Sequence, residues 1–110
     1  MPRFALPTTA HQGSRLWPVA DTLAEEMRLH AAEPFPDTVE KGLDDGEVDA
    51  VMIDADIYGW ATRAGSLSDT DRLRVQQAAD KLQRSIAAFP PEAQPYFERI
   101  LRIARLTLAF

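Results

Sequence analysis

The sequence contains no cysteine. Disulfides, thiolate metal sites and thiol nucleophiles are therefore excluded, and any metal would need histidine or carboxylate ligands. Histidine is scarce as well. His11 and His30 stand alone, neither with a second histidine at the HxxxH or HExxH spacing that places two ligands on one helix face. No run of about 18 apolar residues is available to cross a bilayer. The opening MPRFALPTTAHQGS carries one Arg and too short an apolar stretch for a secretory leader. Nor is a phosphate-binding glycine loop or a Ser-His-Asp or Cys-His set spelled out. These absences lead us to expect a soluble, cytoplasmic, non-enzymatic protein with no cofactor, no metal and no membrane contact.

What is present suits one folded domain. At 110 residues, 45% hydrophobic and 26% charged, the chain is long enough for a single core and too short for two ordinary ones. The net charge of −5 hides an asymmetry: residues 1–60 hold twelve Asp/Glu against four Lys/Arg, and residues 61–110 hold five against eight. The acids concentrate at Glu33, Asp37, Glu40, Asp44, Asp45, Glu47, Asp49, Asp54 and Asp56, with Lys41 the one cation among them. Such a field repels nucleic acid and favours a basic protein partner. A competing account is that the acidic and basic halves neutralise each other within the fold.

Residues 1–13, with Pro2, Pro7 and Gly13 and no sustained period, read as a flexible arm preceding a domain at 14–110. Leu16, Val19, Ala20, Leu23, Met27 and Ala31 recur at spacings of three and four, so the chain from Ser14 or Trp17 to Ala32 is predicted to be an amphipathic helix, stopped at Glu33-Pro34. His30 extends its apolar stripe, which in most proteins means a partly buried ring with one bonded nitrogen. Residues 34–46, PFPDTVEKGLDDG, read as a long acidic loop with a helical turn near Asp37 to Lys41 and with Phe35 as its anchor on the core. The loop departs from the alternating ligands, sixth-position Gly and twelfth-position Glu of an EF-hand.

The segment Glu47 to Gly65, EVDAVMIDADIYGWATRAG, is apolar on two opposite sides of a helical wheel. Ala50, Ile53, Ile57, Trp60, Ala61 and Ala64 fall on one side; Val48, Val51, Met52, Ala55, Tyr58, Gly59 and Thr62 fall on the other. The expectation is a central helix packed on both sides, with Ala55 and Gly59 permitting close approach of a neighbour. Asp54 stands alone between the apolar sides. A rival reading makes VDAVMID a buried strand, although the chain lacks the further apolar runs a parallel sheet needs. On a helix, the carboxylates of Asp54-Ala55-Asp56 point about 200° apart and cannot share an ion.

Ser68 with Asp69 and Asp71 opens the third helix as a capping box of the S-x-x-D kind, after Gly65. Val75, Ala78, Ala79, Leu82, Ile86 and Phe89 form the buried stripe of this helix, which runs from Asp69 to Ala88. Pro90-Pro91 forces a turn, and Glu92 to Leu108 is a last helix that tolerates Pro95 in its first turn. Phe97, Ile100, Leu101, Ala104 and Leu108 face the core, and Tyr96, Ile103, Thr107 and Phe110 widen that face enough for a deep-core position or for homo-oligomer contact. Arg99, Arg102 and Arg105, in an acidic domain without aromatic stacking partners, are better explained by pairing with the acids of Asp49 to Asp56 than by nucleic acid.

The predicted fold is all-α: a single-domain four-helix bundle or orthogonal helical array, with helices near 15–32, 47–64, 69–88 and 92–108 and a long acidic loop between the first two. The predicted binding residues are Asp37, Asp44, Asp45, Glu47, Asp49 and Asp56, on a small regulatory or interaction module like an antitoxin, immunity protein or adaptor. The alternative is a small-molecule or enzymatic site built from His30, Asp54, Asp56, Tyr58 and Trp60.

Overall fold

The last helix organises the structure. A computed structural model gives the fold of residues 16–110 and side chains from residue 18 onward. Its helices are α1 (Leu16–Ala32), α2 (Ala50–Ala61), α3 (Asp69–Ser85) and α4 (Gln94–Leu108), and α4 packs against each of the other three. The arm read at 1–13 and the helix start at Ser14 lie outside the described residues.

Central position follows from the width of an apolar face. Tyr96, Phe97, Ile100, Ile103, Ala104 and Thr107 are all buried, so α4 offers apolar surface to partners on several sides at once. Thr107 satisfies its hydroxyl by donating to the Ile103 carbonyl at 2.8 Å, as a buried hydroxyl in a helix must. Most of the broad face of α4 is thus core, while Leu101, Leu106, Leu108 and Phe110 remain only partly buried. Aromatic rings close one end of this core. Phe89 stacks on Phe97 with centroids 4.0 Å apart, and Phe35 meets Phe97 and Tyr96 edge-on, the loop anchor expected of it.

The second helix is not central. Ala50, Ile53, Ile57 and Ala61 are buried, while Val51, Met52, Ala55 and Gly59 on the opposite side are exposed. A Cβ built on Gly59 meets nothing within 4 Å, so no neighbour approaches where the Ala55 and Gly59 spacing allowed one. The physical reason is supply: α2 has apolar residues on two sides, but its contacts with α3 and α4 leave only Ala50, Ile53, Ile57 and Ala61 buried.

Residues 33–49 contain no helix. The turns lie at Asp37-Thr38 and Lys41-Gly42, and a two-residue antiparallel ladder, β1 (Asp44–Asp45) with β2 (Val48–Asp49), leads into α2. The strand reading of VDAVMID is overturned from Ala50 onward, where the chain is helix, and only Val48 and Asp49 pair as strand. α2 begins at Ala50 because the Asp49 side chain accepts from the Met52 N–H at 3.0 Å, capping it there. The hairpin turns at Gly46 with φ of +62°, and a Cβ there would lie 2.7 Å from Ser85 Oγ, so glycine alone fits between hairpin and α3. Glu47 N–H then donates to Ser85 Oγ at 2.9 Å, tying the hairpin to α3.

Helix boundaries written in local chemistry appear where expected. Ser68 Oγ accepts from Asp71 N–H at 3.1 Å, and Pro95 occupies the first turn of α4. The third helix tightens into a 3-10 turn at Ile86–Ala88, and α4 is entered through another at Pro91–Ala93.

Candidate functional site

Two groups of polar side chains stand out, one between α1, α2 and α4 and one along α2 and the hairpin before it. The first joins residues distant in sequence. His30 near the end of α1, Asp54 in the middle of α2 and Tyr96 at the start of α4 converge: His30 Nε2 donates to Asp54 Oδ1 at 2.8 Å and Tyr96 Oη donates to Asp54 Oδ2 at 2.7 Å. A carboxylate only accepts, so its two neighbours must both present protons to it, which fixes the Nε2–H on His30. The other ring nitrogen, Nδ1, is buried without a partner. Tyr58 lies beside the His30 ring at 5.7 Å between centroids. Burial, reinforced by the bond to Asp54, raises the Tyr96 hydroxyl well above the ordinary tyrosine range. His30 and Tyr96 are 6% and 5% exposed, so the cluster links three helices from inside.

The five residues of the alternative site therefore divide. His30 and Asp54 come together with Tyr58 near them, whereas Asp56 and Trp60 line a groove on another side of α2. Tyr96 is the residue that sequence reading missed as a polar partner. Its signal was indirect: a histidine on an apolar stripe and an aspartate alone between apolar sides each require a partner if buried.

The second group holds the predicted binding residues. Asp44 stands opposite Asp49 across the β-ladder, with Asp45 beside them. Partial burial, together with the Asp44 and Asp49 charges, raises the Asp45 carboxyl above its usual range. Like charges directly across a ladder oppose folding. Glu47 is held by Arg84 in a two-pronged pair at 2.8 and 2.9 Å, whose hydrogen bonds lower its carboxyl. Asp56 is exposed on α2, and Asp37 is exposed in the turn after Pro36. Glu47, Asp49 and Asp56 line one groove of about 390 Å³ with Met52 and Trp60, against Arg74 and Lys81 of α3. Asp44, Asp45 and Asp37 are not among the residues that line it.

The arginines are engaged elsewhere. Arg99 pairs with Glu33, and Arg102 with Glu26 at 3.2 Å; Arg105 reaches Asp80 and Gln83. Arg72 donates to the Leu108 and Phe110 carbonyls at 2.7 and 3.3 Å, and Arg63 and Arg74 meet Asp71 at 3.5 Å. Pairing of Arg99, Arg102 and Arg105 with Asp49 to Asp56 is thus replaced by pairing with α1 and α3, because α4 carries those arginines on the sides that face these helices. Among the described residues, no ion pair engages Asp37, Asp44, Asp45, Asp49 or Asp56. No set of three or more His, Asp or Glu side chains among the described residues could hold a metal ion, and no described helix is long and apolar enough to cross a membrane.

A second cleft, of about 500 Å³, lies between α1 and α4 over Leu101 and Leu106, rimmed by Arg102, Arg105 and Glu26. No family model, curated protein or solved structure matches the chain.

Proposed function

We propose that the chain is a small acidic interaction or regulatory module, of the kind that antitoxins, immunity proteins and adaptors represent, which acts in the cytoplasm by binding a basic protein partner and has no catalysis of its own. One observation carries the reading. Arg63, Arg72, Arg84, Arg99, Arg102 and Arg105 meet partners within the fold, while among the described residues no ion pair engages Asp37, Asp44, Asp45, Asp49 or Asp56. Neutralisation between the two halves of the chain thus reaches Glu26, Glu33 and Glu47 but leaves this segment facing outward as negative charge.

Two further features support it. Mutual repulsion at Asp44, Asp45 and Asp49 weakens the fold slightly, a cost that a partner's cations would reverse on binding. The same segment holds three of the four exposed large hydrophobic residues among the described ones, Leu43, Val51 and Met52, which gives a partner apolar area as well as charge.

The test is capture of binding proteins from the native source on the tagged wild-type protein and on a variant carrying Asp44→Lys, Asp45→Lys and Asp56→Lys. Asp49 is left intact because it caps α2. A partner enriched on the wild type and lost on the variant is the expected result. Recovery of the same proteins by both, or no enriched protein from either, sinks the proposal.

A further inference from the structure

The groove between α2 and α3 has a pattern on its two rims that the acidic reading alone does not use. Asp49, the cap of α2, and Asp56 within it are seven residues apart; along α3, Arg74 and Lys81 are also seven apart. Ile53 and Trp60, again seven apart, lie in the groove from the α2 side, and Met52 beside them is 58% exposed. The two helices run antiparallel, since Arg84 near the end of α3 holds Glu47 before α2, and Asp71 at the start of α3 meets Arg63 after α2.

A seven-residue repeat on both sides of an apolar seam is the pattern by which helices receive another helix: apolar positions fill the seam and flanking charges choose orientation. We propose that this groove is the docking site of an amphipathic α-helix of the partner protein, with its basic flank toward Asp49 and Asp56 on α2 and its acidic flank toward Arg74 and Lys81 on α3. A helix suits the site better than an extended peptide. The groove walls are helices, whose backbone groups are already bonded, so a bound strand would leave its own N–H and C=O groups without partners, whereas a helix brings them satisfied. From Asp49 to Trp60 the groove runs about 16 Å, which accommodates roughly three turns of such a helix. Met52 and Trp60 are the anchors, Trp60 only half-buried and so able to gain cover. The inference rests on the interaction-module reading and adds the partner's secondary structure, the orientation of its two charged flanks and the residues that receive it.

The experiment pans a display library of helix-favouring peptides about 18 residues long against the protein, then measures binding of a selected peptide by the fluorescence of Trp60 in a Trp17→Phe background. The expected peptides carry apolar residues at spacings of three and four with Lys/Arg on one flank and Asp/Glu on the other. Asp56→Lys and Lys81→Glu, both at exposed positions, are each expected to weaken binding about tenfold, with recovery when the facing flank of the peptide is reversed in charge. Trp60→Ala is expected to weaken it at least as much. Glu98→Lys, at an exposed position of α4 that does not line the groove, is expected to change it less than threefold, a shift below about 0.7 kcal/mol. If selected basic peptides instead respond to Asp44 and Asp45 and ignore Asp56 and Lys81, the groove is overturned and the acidic reading stands. Absence of any basic peptide overturns both, and a dimer of the protein itself that dissociates on Lys81→Glu shows that a second copy, rather than a partner helix, fills the groove.

Discussion

Replacing Asp54 with alanine removes the acceptor on which two buried donors converge, and its cost can be built from the contacts. His30 Nε2–H and Tyr96 O–H lose bonds of 2.8 and 2.7 Å, in side chains only 6% and 5% exposed. Leaving a buried polar group unbonded costs about 1–3 kcal/mol. Two effects reduce the total: Tyr96 Oη already lies 3.3 Å from His30 Nε2, so the orphans can bond each other, and the Asp54 side chain is 18% exposed, which lets water replace part of it. The expectation is a loss of about 2 kcal/mol, a fall in Tm of roughly 10 °C for a domain of this size. Tyr96→Phe, which removes one donor and keeps the His30 bond, should cost about 1 kcal/mol. The double variant should lose less than the sum, because both changes break the same bond. Asp54→Asn is a finer probe: its amide can donate to His30 Nε2 only if the ring proton moves to Nδ1, which has no partner, so it should fall between wild type and alanine. Urea unfolding followed by circular dichroism measures all four. A loss under about 0.5 kcal/mol for Asp54→Ala, or strict additivity with Tyr96→Phe, refutes the claim that these side chains form one interlocking cluster.

Phe97→Ala should cost about 3–5 kcal/mol, and Met52→Ala under about 0.5 kcal/mol, because α4 is central and the outer side of α2 is not; equal losses in denaturant titrations refute that order. Gly46→Ala should destabilise by about 2–4 kcal/mol through its positive φ and contact with Ser85, whereas Gly42→Ala, at φ of +88° in open space, should cost about 1 kcal/mol, both read from urea midpoints. Stability should also fall at alkaline pH. Tyr96 keeps its proton in the fold above the pH where the unfolded chain releases it, so its contribution is complete below the ordinary tyrosine value near 10 and declines as pH rises through it; Tyr96→Phe should flatten that decline in pH-dependent melting.

Physical scale separates what the sequence determined from what the tertiary structure decided. Signals acting within four residues could be read directly: the Ser68 cap, the stop at Pro34, Pro95 in a first turn, and the three-four periodicity of the helices. These depend on backbone donors and side chains a turn away, which any local sequence must supply. The Phe35 anchor and the half-bonded His30 were also legible, because an apolar or imidazole side chain on a predicted inner face has few places to go. The β-ladder was not: two pairs between Asp44 and Asp49 carry no alternation and set like charges opposite each other, and they are held by tertiary contacts, the fit of Gly46 and Glu47 onto Ser85, the Glu47–Arg84 pair and the burial of Val48. Most of all, an apolar face in a sequence says that burial would be favourable, not that a neighbour is available to provide it. The stretch from Ala50 to Ala61 has two such sides and received cover on one; α4 has one wide face and received three neighbours. That allocation is a property of the whole assembly. It also brought Asp54 to His30 and Tyr96, 24 and 42 residues away, where no spacing in the chain marked them as partners.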